Sequence, residues 1–268
     1  MRFFESLESR RMLSAGATLG ALGELKVVGT TGPDVLSVEV SGSNIEAMDG
    51  STVLLSVAAS KVTGITVHGL GGGDNITIDP SITVPLILYD YDGYGPDSIT
   101  ANGASDTTVT VGLGSDAIHL GNGSDFVFCY GGNDTVVAGN GNDYVQGGHG
   151  NCSITLGNGN DVVHAGKGND TVVLGTGNNT VILNGGNDAV NTGDGSDTIL
   201  GGSGIDTITT AGTDLLFVRN GDTINGTATD TVWSNGGKAS VTGVPSSNIH
   251  TGRPANWAVK QLIYESRV

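Results

Sequence analysis

Residues 130–138 read YGGNDTVVA, residues 139–147 read GNGNDYVQG, residues 157–165 read GNGNDVVHA and residues 166–174 read GKGNDTVVL. The period is nine. Working outward from this stretch, aspartate recurs at Asp116, Asp125, Asp134, Asp143, Asp161, Asp170, Asp188, Asp197 and Asp206, and Cys152 and Asn179 fill the two positions that break the series. Two residues before each of these positions stands a glycine, and two residues after it stands Val or Ile. Glycine permits a turn with positive φ, and a β-branched residue suits a short buried strand. Each unit is therefore a turn followed by a strand.

A strand of about three residues has no stability of its own, so each unit must bury its apolar residue by stacking on its neighbours. The expected fold is all-β, a solenoid whose core is lined by Ile118, Val127, Val136 and their equivalents through to Ile208. Composition agrees. Glycine accounts for 46 of the 268 residues, and the apolar residues are spread rather than gathered into long runs.

The net charge of -16 and the presence of Lys167 as the sole Lys or Arg between Gly112 and Thr210 leave little to hold a phosphate backbone. Nucleic acid is not an expected partner. Without an apolar run of about 18 residues, no helical membrane span is expected either. The two cysteines, Cys129 and Cys152, are too few for a disulfide framework and have no companions for a zinc site, so they read as free thiols or as one bridge.

The nonapeptide resembles the G-G-x-G-x-D-x-U-x repeat of the repeats-in-toxin (RTX) calcium-binding family, as in YGGNDTVVA, GNGNDYVQG and GGSGIDTIT (residues 201–209). The resemblance covers about a hundred residues, eleven units in register. It implies a parallel β-roll, a right-handed β-solenoid in which six residues form a metal-binding turn, three form a strand, and two units complete one coil. The first motif position departs from glycine at Leu120, Ala138, Leu156, Ala165 and Leu174, which suggests a better-filled core.

On that geometry, units eighteen residues apart stack, and two columns result. One runs Asp116, Asp134, Cys152, Asp170, Asp188, Asp206; the other runs Asp125, Asp143, Asp161, Asn179, Asp197. Carboxylates stacked about 4.8 Å apart repel by roughly 3 to 4 kcal/mol at an effective dielectric of about 20. A hard cation with a preference for oxygen ligands resolves this, and Ca²⁺ suits the site better than Mg²⁺. Five gaps are flanked by two aspartates: Asp116 and Asp134, Asp170 and Asp188, Asp188 and Asp206, Asp125 and Asp143, Asp143 and Asp161. Cys152 and Asn179 should interrupt the columns, because a thiol is a poor ligand for a hard cation and an amide lacks the charge. The competing reading is a ladder of turn side chains bonded to backbone without metal.

Four segments are expected: 1–24 for export or targeting, 25–111 as irregular rungs, 112–210 as the regular roll, and 211–268 as degenerate rungs with a terminal cap. Upstream, GTTGPDVLSV and GLGGGDNITI repeat the turn-strand signature around Asp34 and Asp74, with Val53 to Val57 and Ile65 to Val67 as further rungs. Asp97 and Asp106 keep the nine-residue spacing, which then slips by one before Asp116. Asp90, Asp92 and Asp97 in DYDGYGPD offer the carboxylates for a separate calcium loop, yet the full EF-hand spacing is absent, and an ordinary tight loop is the favoured reading. Downstream, Asp214, Asp222 and Asp230 fall to a spacing of eight, where the roll should decay. Ala255 to Glu265 reads as a short capping helix carrying Trp257 and Leu262.

The N-terminal FESLESRRMLSA is similar to the LEPR-x-LL motif of exported proteins from planctomycete-type bacteria, with Ser9 in place of proline and Met12 before Leu13. That similarity implies an extracellular or cell-surface location. An enzyme is not expected. Uronate lyases need cationic groups that the repeat lacks, and glycosidases need two carboxylates in distinct settings, whereas these occupy equivalent turns. His68, His119, His149, His164 and His250 read as solvated or loop residues, with His119 and His164 on opposite edges. Two functions of different class remain: a Ca²⁺-dependent module that folds after export, or a passive envelope or matrix scaffold that binds an extracellular glycan or protein.

Overall fold

The computed structural model describes residues 14–91, 93–235 and 239–252, and the chain divides into two compact units, residues 1–138 and 139–268. Among the described residues every regular element is a strand, apart from the single 3-10 turns Ala59–Lys61 and Ser246–Asn248. The N-terminal string up to Leu13, Asp92 and the segment Ala255 to Glu265 lie outside the described residues.

The second unit is a β-solenoid of two parallel sheets. One runs Tyr144–Gln146, Val162–His164, Thr180–Ile182, Thr198–Leu200, Leu215–Arg219, Thr231–Asn235, Ile249–Thr251; the other runs Ser153–Thr155, Thr171–Val173, Ala189–Asn191, Thr207–Thr209, Thr223–Asn225, Ser240–Thr242. The chain alternates between the sheets, so two repeats complete a coil. Register follows the eighteen-residue step: Val163 pairs with Val181, and Val172 with Val190. The middle residue of each strand faces inward, and Val145, Ile154, Val163, Val172, Val181, Ile199 and Ile208 are fully buried. Leu156, Ala165, Leu174 and Leu183 at the first motif position are buried as well, filling space that the family's glycine would leave.

Downstream of Thr210 the closer-spaced rungs continue the stack. The turns shorten while the sheet pairing persists, with Ile199 on Leu216, Ile208 on Ile224 and Leu216 on Val232.

The first unit is also a β-solenoid, with irregular turns. One sheet places Glu24–Val28, Gly64–His68, Leu86–Asp90, Thr107–Val111 and Phe126–Cys129 in parallel, and Gly16–Leu19 pairs antiparallel with Glu24–Val28 at its end. The other stacks Val35–Ser41, Asn75–Ile78, Ser98–Ala101, Ala117–Leu120 and Thr135–Val137 in parallel. Ile65 to Val67 is a rung as expected. Val53 to Val57 is not: Asn44–Asp49 and Thr52–Ala58 form antiparallel extensions beyond Val35–Ser41 and finish that sheet. Antiparallel neighbours joined by the tight turns at Gly42 and Gly50, both with positive φ, add strands without needing another coil.

The glycine two residues before each repeat aspartate answers to two demands at once. Gly186 has a φ of 143°, and a Cβ there would come within 1.4 Å of the Gly168 carbonyl oxygen on the preceding coil. Backbone stacks directly on backbone at this point, so the invariance seen in the sequence is steric as well as conformational.

Candidate metal centre

Each repeat aspartate ends its turn and begins its strand, and this junction lies inside the roll. Asp116, Asp125 and Asp134 in the first unit, and Asp143, Asp161, Asp170, Asp188, Asp197 and Asp206 in the second, are all at most 2% exposed. Their carboxylates form a ladder. Asp161 Oδ1 accepts the backbone N–H of Asp143 at 2.9 Å, Asp188 Oδ1 that of Asp170 at 2.8 Å, and Asp206 Oδ1 that of Asp188 at 3.0 Å. In the first unit Asp134 Oδ1 accepts from Asp116 at 2.9 Å. Each side chain reaches back one coil, eighteen residues along the chain.

This bond consumes one oxygen. The Oδ2 atoms of Asp161, Asp170, Asp188, Asp206 and Asp214 are buried with no hydrogen-bond partner among the described residues. A carboxylate oxygen in that state is costly, because it has lost water and gained nothing in return. Burial accordingly pushes Asp161 and Asp170 up to about 6, opposed by the N–H groups they accept, and Asp206 and Asp214 up to about 7, with neighbouring carboxylates adding to the shift. Asp188 and Asp197 are raised for the same reason. In the first unit, burial holds Asp116 near 7 and Asp134 near 6, the latter opposed by the Asp116 N–H and the Cys129 thiol.

The two interruptions sit where the sequence placed them. Asn179 Oδ1 accepts the Asp161 N–H at 3.0 Å, so a neutral amide makes the same bond as a carboxylate. Its Nδ2 is buried without a partner among the described residues, which puts a donor where the neighbouring rungs present an acceptor. Cys152 turns its thiol to the Gly147 carbonyl at 3.1 Å. Cys129 and Cys152 are both buried, and neither is in a disulfide.

The ladder extends beyond the nine predicted residues. Asp214 Oδ1 accepts from Asp197, Asp222 Oδ1 from Asp206 and Asp230 Oδ1 from Asp214, at sequence separations that contract to 17, 16 and 16. In the first unit Asp34, Asp74, Asp97 and Asp116 continue it, with separations of 40, 23 and 19. The nine-residue count misplaced one residue. Thr107, buried, donates its N–H to Asp125 Oδ1, while Asp106 is exposed and instead accepts from Ser124 N–H. The one-residue slip therefore falls before Thr107 rather than after Asp106.

A second ladder was not anticipated. The residue before each aspartate lies on the outside of the turn, where Asn142, Asn160 and Asn178 reach forward to the N–H groups of Asn160, Asn178 and Ser196 at 2.8 to 2.9 Å. Asn151, Asn169 and Asn187 do the same on the other edge. Recurrent Asn at a motif position left unspecified was the available signal.

The histidines do not assemble. Among the described residues no group of three metal-binding side chains contains one, and His119 is exposed. His164 differs from the solvated reading, since it is half-buried against Tyr144 with ring centres 5.6 Å apart, and burial lowers its pKa. No helix of the described residues is long and apolar enough to cross a membrane.

The donor set of the inner turns, carboxylate oxygens close to glycine-rich backbone, fits a hard cation. Residues 130–151, 153–181 and 173–208 match the family described as the RTX calcium-binding nonapeptide repeat (4 copies). No curated protein and no solved structure matches the chain significantly. The regular stretch of the ladder, from Asp134 to Asp206, thus coincides with the segments that match the RTX calcium-binding nonapeptide repeat.

Proposed function

We propose that this protein is an exported, non-catalytic Ca²⁺-binding β-roll, stabilised by cations that Asp116, Asp125, Asp134, Asp143, Asp161, Asp170, Asp188, Asp197 and Asp206 hold with the turn backbone. The observation that carries this is Asn179. Its amide makes the ladder bond as well as an aspartate does, so that bond requires an oxygen and not a charge. The buried charges on the flanking rungs then need another cause, and a bound divalent cation supplies one.

In this reading the chain stays unfolded or loosely ordered where Ca²⁺ is scarce, since its stacked carboxylates repel one another, and folds once exported into millimolar Ca²⁺. The N-terminal similarity to an export motif supports an extracellular or cell-surface site of action. The equivalence of the buried aspartates argues against catalysis, which needs carboxyl groups in different settings.

One observation favours a second reading. The two hydrogen-bonded ladders already tie each coil to the next without a cation, as a passive scaffold for a glycan or protein would require. Circular dichroism in chelator and in Ca²⁺, paired with calorimetric Ca²⁺ titration, separates the two. The calcium reading expects β signal to appear on adding Ca²⁺, and Asp188→Asn to lower the number of ions bound. A chain fully β-rich in chelator, with no stoichiometric Ca²⁺ uptake, would leave only the scaffold.

A further inference from the structure

Among the described residues, Asp90 is the one buried carboxylate in the first unit that the ladder does not explain. It ends the strand Leu86–Asp90, pairs in register with Val111, and Val111 pairs in turn with Cys129. All three face the core: Val111 is fully buried, Asp90 is 1% exposed and Cys129 2%. A carboxylate thus stands where the next two coils place a valine and a cysteine. It donates nothing, accepts no backbone N–H, and both its oxygens lack a hydrogen-bond partner among the described residues.

Asp90 has company. One oxygen from each of Asp74, Asp90 and Asp97 lies within 4.8 Å of the others, and all three residues are buried. Asp74 and Asp97 spend Oδ1 on the ladder, accepting from Asp34 and Asp74, and Asp74 Oδ2 is left without a partner among the described residues. The space between them is kept open by Gly69, where a Cβ would come within 2.5 Å of both Asp74 Oδ2 and Asp90 Oδ2. Three carboxyl groups converge beside a backbone with no side chain.

We propose that Asp74, Asp90 and Asp97 hold a Ca²⁺ ion in a separate site, outside the matched repeats and distinct from them in using an aspartate at a core strand position. Ca²⁺–oxygen distances of about 2.3 to 2.6 Å place opposite ligands about 4.6 to 5.2 Å apart, so one ion reaches all three carboxylates. Mg²⁺, at about 2.0 to 2.1 Å and reluctant to shed water, fits a buried set of this spread less well. Among the described residues this is also the one group in which three such side chains bring ligand atoms within 4.8 Å of one another. The site uses the same hard-cation chemistry as the ladder but none of the nine repeat aspartates.

The competing neutraliser is a proton. Without a cation, burial together with Asp97 and Asp74 lifts Asp90 to about 8, so a shared proton could satisfy the same residues. The full-length chain distinguishes the two through Asp90→Val, which restores the residue type of the next coil, and Asp90→Asn, which keeps the shape if valine prevents folding. Calorimetric titration with CaCl₂ is expected to show each variant binding one ion fewer than wild type. Thermal melts are expected to show Asp90→Val above wild type in chelator and with a smaller gain on adding Ca²⁺.

An unchanged ion count, with Asp90→Val raising the melting point equally in chelator and in Ca²⁺, would mean a protonated acid and overturn the site. Asp188→Asn serves as the ladder control. Loss of an ion in Asp188→Asn but in neither Asp90 variant keeps the ladder and removes this site; the reverse keeps this site and removes the ladder. A wild type that takes up no Ca²⁺ removes both.

Discussion

The inner and outer faces of each turn in the second unit carry the same device in opposite chemistry. Both ladders step eighteen residues and both pair a side-chain oxygen with a backbone N–H, yet the inner one reaches back with buried aspartates and the outer one reaches forward with exposed asparagines. If holding coils together were the whole task, the inner face would be better served by asparagine too, since a buried neutral amide costs less than a buried charge. Aspartate sits where its charge is most expensive. On the proposed reading, that difference between faces is what a cation held inside the roll accounts for.

Removing Ca²⁺ should break this comparison most completely. With free ion a hundredfold above its dissociation constant, each site adds about 2.7 kcal/mol, and three ladder sites in the second unit would sum to about 8 kcal/mol. That is comparable to the whole stability of a typical domain. Chelation at pH 7.5 is therefore expected to abolish the cooperative melt followed by circular dichroism, and excess Ca²⁺ to restore it. The pH dependence should follow from the inner face alone. Asp161 and Asp170 are raised from an ordinary 3.8 to about 6, and Asp206 and Asp214 to about 7, so the folded state binds protons more tightly than the unfolded chain. In chelator that contribution to stability is fully present below about pH 3.8 and is lost as pH rises through 6 to 7. Melting midpoints in chelator should fall across that window. In Ca²⁺ the trend should reverse, because ions and protons compete for the same oxygens and Ca²⁺ wins at the higher pH.

A steric test ranks next. Gly186→Ala forces a Cβ to within 1.4 Å of the Gly168 carbonyl and strains a φ of 143°, so it should cost about 4 kcal/mol or more with or without Ca²⁺. Denaturant titration in both conditions checks it, and a loss seen only in chelator would contradict the stacking argument. Asn179→Asp is smaller and more pointed, since it makes the interrupted rung like its neighbours. It should cost about 1 to 3 kcal/mol in chelator, through a further unpaired buried oxygen, and raise the number of Ca²⁺ ions bound in a calorimetric titration. The opposite sign in chelator would mean that the Asn179 Nδ2 group, buried without a partner among the described residues, is the costlier orphan.

Legibility in the sequence tracked how strictly a position was constrained. Glycine and Val or Ile recur in every unit from Gly114 to Ile208, and aspartate in all but the Cys152 and Asn179 units, because a stacked backbone, a buried oxygen and a core side chain each admit few alternatives. The outer asparagines were passed over because Ser115, Ser124, Ser196 and Ile205 also occupy that position, so no single residue type marks it. Beyond the regular units, spacing misleads. The ladder needs a coil to return to the same edge and is indifferent to how many residues it takes, so Asp34 and Asp74 are partners across 40 residues that include a pair of antiparallel strands. Counting by nine assigned Asp106 to a position that Thr107 holds, and the missing EF-hand spacing favoured a tight loop over a calcium loop in DYDGYGPD, although Asp90 and Asp97 converge from it on Asp74. Convergence between distant coils leaves no local trace.

The smallest expected effect falls on the outer face. Asn160 accepts the Asn178 N–H at 2.8 Å in an exposed setting, so in Asn160→Ala water replaces the lost acceptor. The cost should be about 0.5 to 1.5 kcal/mol, the same in chelator and in Ca²⁺, with no change in ions bound. Asp161, the adjacent residue on the inner face, should behave differently: Asp161→Asn keeps the shape and the ladder oxygen, as Asn179 does, yet should forfeit Ca²⁺-dependent stabilisation. Neighbours in sequence would then respond to Ca²⁺ in different ways, although each makes one hydrogen bond of nearly equal length to the backbone of an adjacent coil. Denaturant titrations of the two variants in both conditions decide it. Equal responses would mean that the charge on the inner face has no partner, and that the two ladders differ only in their exposure to water.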